Sequence, residues 1–277
     1  MSCHMYKTLM RIFTFFLLLV LLSTTTTYAQ QRKVKKQIEK KGIIYNKEMT
    51  FGGKIASNGW GFYMNTGKII NIHKTRLWMI EFSDIRHPKE KKQSADFNLA
   101  ISGFDSPRDF YYGKQNEFFT LRAAFGYKKN IAEKAKKNGV NLALVYMGGI
   151  SLGFLKPYYL DLAYITQVND STFIVEAKSE RYNDDPENGN AQKFLNWYEI
   201  IGASRYSKGF KQLQPVPGAF IKLGLNFEWG SRDAFITAME VGVAADIYYK
   251  NIPIMINQPQ RPFFMNAYLS FELGRRR

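Results

Sequence analysis

The chain has 277 residues, 45% of them hydrophobic and 16% aromatic, and it contains one cysteine. With 39 Lys and Arg against 23 Asp and Glu, its formal net charge is +16 at pH 7. This balance favours contact with an anionic surface. Beyond the first residues no apolar run approaches the roughly 18 residues that indicate a spanning helix, which excludes a helical membrane protein but leaves a β-barrel open.

The N-terminal segment has the layout of a secretory signal peptide. Lys7 and Arg11 precede an apolar run at 12–22, and small residues follow up to Ala29. The run is too short to span a bilayer as a helix, which takes about 20 residues. We expect cleavage after Ala29; the alternative is a short buried helix. Cys3, the single cysteine, precedes the run, so the mature chain would contain none.

Residues 30–47 form a basic segment, which we expect to be a periplasmic arm ahead of a barrel domain at 48–277. Residues 1–29 contain two Lys and Arg and no acid, so their removal leaves 37 basic against 23 acidic residues, a net charge of +14. An exported protein rarely meets nucleic acid. We therefore expect outer-membrane lipid, lipopolysaccharide or a protein as the partner of the arm or of outer loops. The alternative is a solvated linker without a partner.

Alternation of apolar and polar residues with a period of two predicts eight β-strands. They lie at 50–57, 60–68, 76–84, 119–127, 141–154, 219–229, 235–247 and 263–274. The first two meet near Asn58-Gly59, a hairpin dipeptide. In strand 219–229, Ile221 and Leu223 lie on the apolar face and Lys222 on the polar one.

Charged side chains recur on the polar faces of these strands, and they leave two interpretations open. In a soluble barrel or sandwich they would face water; in an outer-membrane barrel the apolar face meets lipid and the charges fill a narrow lumen. A soluble periplasmic barrel that binds a lipid inside is a third. The charges are Lys54, Glu81, Arg122, Lys222, Glu228, Glu240, Asp246 and Glu272.

Two features favour lipid on the outside. Glycine is frequent on the polar faces, where a tight barrel needs room. Aromatic residues cluster at strand ends, as interface girdles do; they are Tyr127, Tyr158, Tyr159, Trp229, Tyr248, Tyr249 and Phe263. We therefore predict an all-β, eight-stranded antiparallel transmembrane β-barrel of up-and-down topology in the outer membrane, its interior charges forming a structural network.

Loop lengths predict the orientation, since such barrels have short periplasmic turns and longer outer loops. With both ends in the periplasm, the inner turns are 71–75, 130–139 and 230–233. The outer connections are then the Asn58 hairpin, 85–117, 156–216 and 250–262. Ten strands remain an alternative, because the segments around Asn169-Asp170 also alternate; we expect them to form a hairpin above the membrane.

Three stretches carry a resemblance to a known family. They are NEFFTLRAAFGYKKNIAEKAKKNGVNLALVYMGGISLGFLKPYYLDLAYI, PVPGAFIKLGLNFEWG and NIPIMINQPQRPFFMNAYLSFELG. Together with the signal peptide and the basic arm, they resemble the small outer-membrane β-barrel proteins of Bacteroidota. The resemblance implies an outer-membrane barrel. Some such barrels are accessory subunits of the type IX secretion machinery, and the resemblance carries over no catalytic residue.

Catalysis has few candidates. Beyond the signal peptide the histidines are His73, in a predicted turn, and His87, which follows Asp84 at the outer rim. An outer-membrane hydrolase or acyltransferase would use His87 as base, Asp84 to orient it, and Ser94 or Ser106 as nucleophile. The other interpretation of both histidines is solvated loop residues, and we predict no catalytic residue.

Cofactors and metals are not expected. Asp184, Asp185 and Glu187 are clustered as calcium ligands often are, but the spacing of a known calcium loop is absent, and a hydrated acidic turn is the simpler interpretation. Bulky residues should fill an eight-stranded lumen and close it to diffusion. The function we expect is therefore a non-enzymatic structural or docking component of an envelope assembly, with secretion as one role; the alternative is the His87 hydrolase.

Overall fold

The computed structural model describes residues 45–94, 108–132, 139–169, 172–229 and 234–277. The predicted signal peptide, residues 30–44 of the basic arm, Ser106 and the turn 230–233 lie outside these ranges. No helix within the described residues is long and apolar enough to cross a membrane.

Thirteen strands and a few short helical turns make up the described chain. In order they are β1 (Lys47–Ala56), β2 (Gly59–Asn71), β3 (Lys74–Ile85), β4 (Lys92–Gln93), β5 (Phe110–Tyr111), β6 (Asn116–Ala132), β7 (Val140–Pro157), β8 (Tyr159–Asn169), β9 (Thr172–Arg181), helix α1 (Ala191–Phe194), a 3-10 turn (Trp197–Glu199), β10 (Ile200–Ala203), a second 3-10 turn (Phe210–Gln212), β11 (Gln214–Trp229), β12 (Phe235–Ile252) and β13 (Arg261–Arg276).

Eight of these strands close a barrel, which confirms the predicted fold. Around the ring the order is β1, β2, β3, β6, β7, β11, β12 and β13, and β13 pairs with β1. Each pair is antiparallel and joins strands that follow one another along the barrel, so the topology is up-and-down. The alternating strands near Asn169 form the β8–β9 hairpin, which pairs with β10 in a separate sheet. The ten-stranded alternative is therefore wrong.

Short connections gather at one end of the barrel and long ones at the other. The short-turn end holds the β2–β3, β6–β7 and β11–β12 connections. The other end carries the short β1–β2 hairpin, β4 and β5, the three-stranded sheet, and the β12–β13 loop. By the loop-length rule the short-turn end faces the periplasm. We call the structured long-loop end, formed by β4, β5, β8–β10 and α1, the cap.

The faces of the strands alternate as predicted, with the apolar face outward. Along β13, Met265 is 65% exposed and Leu269 47%, whereas Tyr268 and Glu272, on the other face of the strand, are at most 4% exposed. On β1, Ile55 is likewise 72% exposed on the outer face. An apolar belt of this extent far exceeds the scattered patches of a soluble protein, and the polar interior has no room for a bound lipid. Both soluble interpretations are excluded, and the barrel is of the outer-membrane type.

The predicted aromatic girdle is partly wrong. Trp229, Tyr249 and Phe263 are exposed on the outer face as expected. Tyr248 is only 3% exposed, because it lies on the inward side of β12, two residues after Asp246, and its hydroxyl is 2.9 Å from Ser151 Oγ. Tyr158 is buried in the cap. The regular alternation of β12 already places the side chain of residue 248 inside.

Glycines on the inner face give space to large neighbours, as the sequence predicts. A Cβ atom at Gly224 would lie 2.5 Å from the Tyr268 hydroxyl oxygen, and one at Gly242 would lie 2.6 Å from it. At Gly52 a Cβ atom would lie 2.4 Å from the ring of Tyr63. The two interior tyrosines therefore cross the lumen over glycine backbone.

Candidate functional site

The barrel lumen holds a charged network, and the structure places all eight predicted charges in it. Each of them is at most 3% exposed; they are Lys54, Glu81, Arg122, Lys222, Glu228, Glu240, Asp246 and Glu272. They lie there because each occupies an inward-facing position of its strand, and contacts across the lumen hold them in place. Seven of them belong to three ion-paired groups along the barrel, and Glu272 is held separately by neutral donors.

Arg122 organises the group nearest the cap. Its Nε and Nη2 donate to the two carboxylate oxygens of Asp246, each at 2.8 Å, in a bidentate pair between β6 and β12. Its Nη1 donates to Glu81 and, at 2.9 Å, to Ser83 Oγ. Lys54 Nζ also donates to Glu81. Bidentate, charge-assisted hydrogen bonds of this kind are among the strongest in proteins.

The middle group joins one lysine to one carboxylate. Lys222 Nζ lies 2.9 Å from Glu240 Oε1, and the Tyr268 hydroxyl donates to the same oxygen at 2.6 Å. The ammonium also lies over the rings of Tyr63 and Tyr268, 4.9 and 5.1 Å from their centroids. Aromatic faces and a carboxylate therefore replace the water that the ammonium loses on burial.

Glu272 differs from the other predicted acids, because it takes part in no ion pair among the described residues. Its Oε1 accepts from Asn226 Nδ2 at 2.7 Å. Its Oε2 accepts from Thr50 Oγ1 at 3.1 Å and from Asn65 Nδ2 at 3.3 Å. All three donors are neutral, so the direct contacts of this carboxyl group are hydrogen bonds and not an ion pair.

The group at the periplasmic end includes three residues that the sequence prediction missed. Lys128 Nζ lies 3.2 Å from Glu228 Oε2, and Arg276 Nη2 lies 2.6 Å from the same oxygen. Arg276 Nε is also 3.6 Å from Glu48 Oε2. The alternation would have found Lys128, Glu48 and Arg276, but the predicted strands stop at 127, begin at 50 and stop at 274, just short of them.

Bulky apolar groups fill the rest of the lumen. Tyr63, Met147, Phe220 and Tyr268 are each at most 5% exposed and belong to one buried cluster. The guanidinium carbon of Arg122 lies 4.8 Å from the centre of the Phe220 ring. With the ion pairs above them, these side chains occupy the cross-section, as an eight-stranded barrel of this width allows.

The cap has a core of its own. Its buried cluster consists of Phe110, Tyr158, Leu160, Leu162, Phe194, Ile200 and Ile256. Two ion pairs hold the loops around it, Lys156 with Glu117 at 2.8 Å and Lys114 with Glu90. The described parts of the connections at this end are therefore packed around a buried core.

Two aromatic groups lie exposed on the cap. In the first, the rings of Tyr112 and Trp197 are 5.9 Å apart, and the neighbouring Tyr198 is 83% exposed. In the second, the rings of Tyr206 and Phe210 are 5.6 Å apart. We call Tyr112, Trp197 and Tyr198 the aromatic patch. Exposed tryptophan and tyrosine side chains are the residue types most often found at the centres of protein interfaces.

The histidine candidates are not assembled for catalysis within the described residues. Asp84 Oδ2 accepts from Arg86 Nε at 2.8 Å, while His87 Nδ1 accepts from the backbone N–H of Lys89 at 3.2 Å. Ser94 Oγ donates to Asp109 Oδ1 at 3.0 Å. Partial burial, then the nearby Lys89, lower the pKa of His87.

His73 lies in the β2–β3 turn, where its backbone N–H donates to Asn71 Oδ1 at 3.1 Å. The acidic turn is exposed, and Asp185 caps it from within, since its Oδ1 accepts from the N–H of Glu187 at 3.1 Å. Across the described ranges no group of three or more His, Cys, Asp or Glu is arranged to hold a metal ion.

No protein-family model and no curated protein matches the chain. Among solved structures, it is similar to the attachment invasion locus protein Ail of Yersinia pestis at 8% identity and a TM-score of 0.36, over 83% of this chain and 96% of that one. Neisserial surface protein A gives 7% identity, a TM-score of 0.37 and coverage of 83% and 96%. A major outer membrane protein from Thermus thermophilus is 7% identical at a TM-score of 0.37, over 83% of this chain and 99% of that one. These superpositions are loose. On its own geometry the chain forms an eight-stranded outer-membrane β-barrel.

Proposed function

We propose that this protein is a non-enzymatic outer-membrane barrel that docks a protein partner on its outer cap. The observation that carries the proposal is the contrast between the two parts of the barrel. The lumen is filled by paired charges and rings, with Arg122 and Phe220 in buried contact. The cap adds a separate sheet and a separate buried cluster, which closing the barrel does not require.

The aromatic patch supports a protein as the partner. Trp197 and Tyr198 lie on a 3-10 turn that Asn196 caps at its N-terminus, because Asn196 Oδ1 accepts from the N–H of Tyr198 at 3.2 Å. Tyr112 is tied to the same place, since its hydroxyl donates to the Leu195 carbonyl at 2.7 Å. Rigid aromatic side chains bind at a small loss of conformational entropy, which suits an interface anchor.

The resemblance to small Bacteroidota barrels suggests an envelope assembly as the setting, and type IX secretion as the first process to test. In that setting the barrel is an accessory or structural subunit. The basic arm at 30–47 and the surrounding lipid and lipopolysaccharide are further partners that we propose on charge alone.

A detergent pull-down with the tagged full-length protein tests this function. We expect a co-purified envelope protein that is lost with Trp197→Ala/Tyr198→Ala and retained with Tyr249→Ala, which removes an exposed aromatic from the barrel wall. Retention of the partner by the double variant would count against the cap as docking surface. Lipid or peptide hydrolysis that disappears in His87→Ala would instead favour the enzyme.

A further inference from the structure

The barrel wall has a notch at its outer rim, above the β1–β2 hairpin. That hairpin turns at 57–58, and the pairing of β1 with β13 stops at Ala56 opposite Tyr268. The start of β13, from Arg261 to the region of Ala267, extends beyond it, and the N–H of Ser57 makes the last contact, with the Ala267 carbonyl at 2.9 Å. On this side the first residues of β13 therefore have no neighbouring strand.

The segment after β3 forms the opposite wall of this notch. The N–H of Arg86 donates to the Asn58 carbonyl at 2.7 Å, which fixes the segment above the hairpin. The resulting groove has a volume of about 490 Å³ and runs between Arg86–Lys89 and the β12–β13 loop. Ile252, Ile254 and Met255 are buried behind it. The groove is thus open on the outer side of the barrel and closed on the inner side.

The charge of the notch is one-sided. Arg86, Lys89 and Arg261 line it, and no Asp or Glu is among its described lining residues. Asp84, two residues earlier near the end of β3, pairs with Arg86. Lys89 Nζ donates to Gln258 Oε1 at 2.8 Å, a neutral partner, which leaves its charge uncompensated by that contact. A multiply charged anion is the ligand that such a set of donors suits.

The foot of the notch is apolar. Phe263 and Met265, 50% and 65% exposed, line the groove and lie on the outward face of β13. Trp60, on the outer face of β2, belongs to the apolar groove just below. If the anionic group of a ligand bound to these three cations, the rest of the ligand would lie beside side chains that face lipid. The unpaired edge of β13 also exposes backbone N–H and C=O groups, which would find no hydrogen-bond partner in pure hydrocarbon.

We propose that the notch binds the phosphorylated headgroup of a lipid of the outer leaflet, with Lys89 and Arg261 on the phosphate and an acyl chain along Phe263 and Met265. Arg86 contributes its remaining N–H groups. The site would fix the rotational position of the barrel relative to its lipid shell, and it would close the gap in the wall.

Native mass spectrometry of the full chain in detergent, titrated with lipid A that carries two phosphates, tests the site. Because each lost hydrogen bond to a charged group weakens binding by roughly tenfold or more, Lys89→Gln/Arg261→Gln should weaken lipid binding by at least about tenfold. Lys208→Gln/Lys211→Gln, with the same charge change on exposed lysines of the cap end, should not. Lipid A with one phosphate should bind more weakly to the unchanged protein.

Equal binding by both double variants, or an equal loss in both, would overturn the site. Displacement of the lipid by inorganic phosphate alone would overturn the assignment to a lipid. A heat-shift gel verifies that each variant is folded. If Lys89→Gln/Arg261→Gln does not fold, Lys89→Gln alone decides the matter, because the Lys89 side chain is exposed and its ammonium donates to the neutral Gln258. Unchanged lipid binding by that variant contradicts the proposal.

Discussion

Replacing Arg122 by alanine probes the interior network most severely. Arg122 is 1% exposed and neutralises Asp246 through two hydrogen bonds of 2.8 Å. Glu81 keeps Lys54 when Arg122 is removed, but no other cation of the described ion pairs reaches Asp246. One buried carboxylate is then uncompensated, which costs about 3–5 kcal/mol. The unfolding equilibrium should shift by about two to four orders of magnitude.

The urea midpoint of the fast-migrating folded band on unheated gels measures this shift for barrels refolded in detergent. Arg122→Ala should lose the band at much lower urea than the unchanged protein. Lys129→Ala, exposed on the same strand, should not. Arg122→Ala/Asp246→Ala should recover part of the loss, because it removes both charges. An Arg122→Ala midpoint equal to that of Lys129→Ala, with a lowered midpoint for Arg181→Ala at the end of β9 in the cap, would refute the interior placement.

The same gel assay tests two further features of the lumen. Glu272→Gln should change the free energy of unfolding by no more than about 1 kcal/mol, because the hydrogen-bond donors to Glu272 are neutral. Glu240→Gln leaves the buried Lys222 unpaired and should cost about 3 kcal/mol or more. Equal effects of the two substitutions would contradict this pairing. Gly224→Ala should destabilise the barrel, and less so when combined with Tyr268→Phe, which removes the hydroxyl that the new Cβ would meet. At the rim, NMR titration should give His87 a pKa below the ordinary imidazole value, rising toward it in Lys89→Gln/Arg261→Gln, since burial and those cations lower it; a pKa above the ordinary value would contradict this environment.

Period-two alternation, together with the glycines on the polar faces and the aromatic residues at strand ends, was sufficient to predict the barrel and both of its faces. It placed Lys222 and Glu240 inside and Ile221 outside because each strand has one lipid face and one lumen face. The prediction failed for Tyr248, because its aromatic character was given more weight than its inward-facing position in the alternation. It also missed Lys128, because the strands extend a little beyond the segments with clear alternation.

Other features depend on geometry that alternation does not encode. Which acid meets Arg122 across the lumen follows from the stagger of the strands around the ring. The aromatic patch at Trp197 lies in a short turn that has no periodic pattern. The notch results from a difference in length between the β1–β2 and β12–β13 hairpins, which becomes visible only once the register of Ala56 with Tyr268 is known.

The orientation of the two faces of β12 in a bilayer is the most direct test of the barrel as described. Since the predicted mature chain contains no cysteine, single nitroxide labels can be placed at Val241→Cys, Val243→Cys, Ala238→Cys and Ala244→Cys. Val241 and Val243 are 46% and 42% exposed on the outer face, whereas Ala238 and Ala244 are at most 2% exposed inside. Labels at the two valines should collide readily with lipid-soluble oxygen, and labels at the two alanines should be protected from it. Oxygen access at the alanines with protection at the valines would contradict a lipid-facing apolar surface.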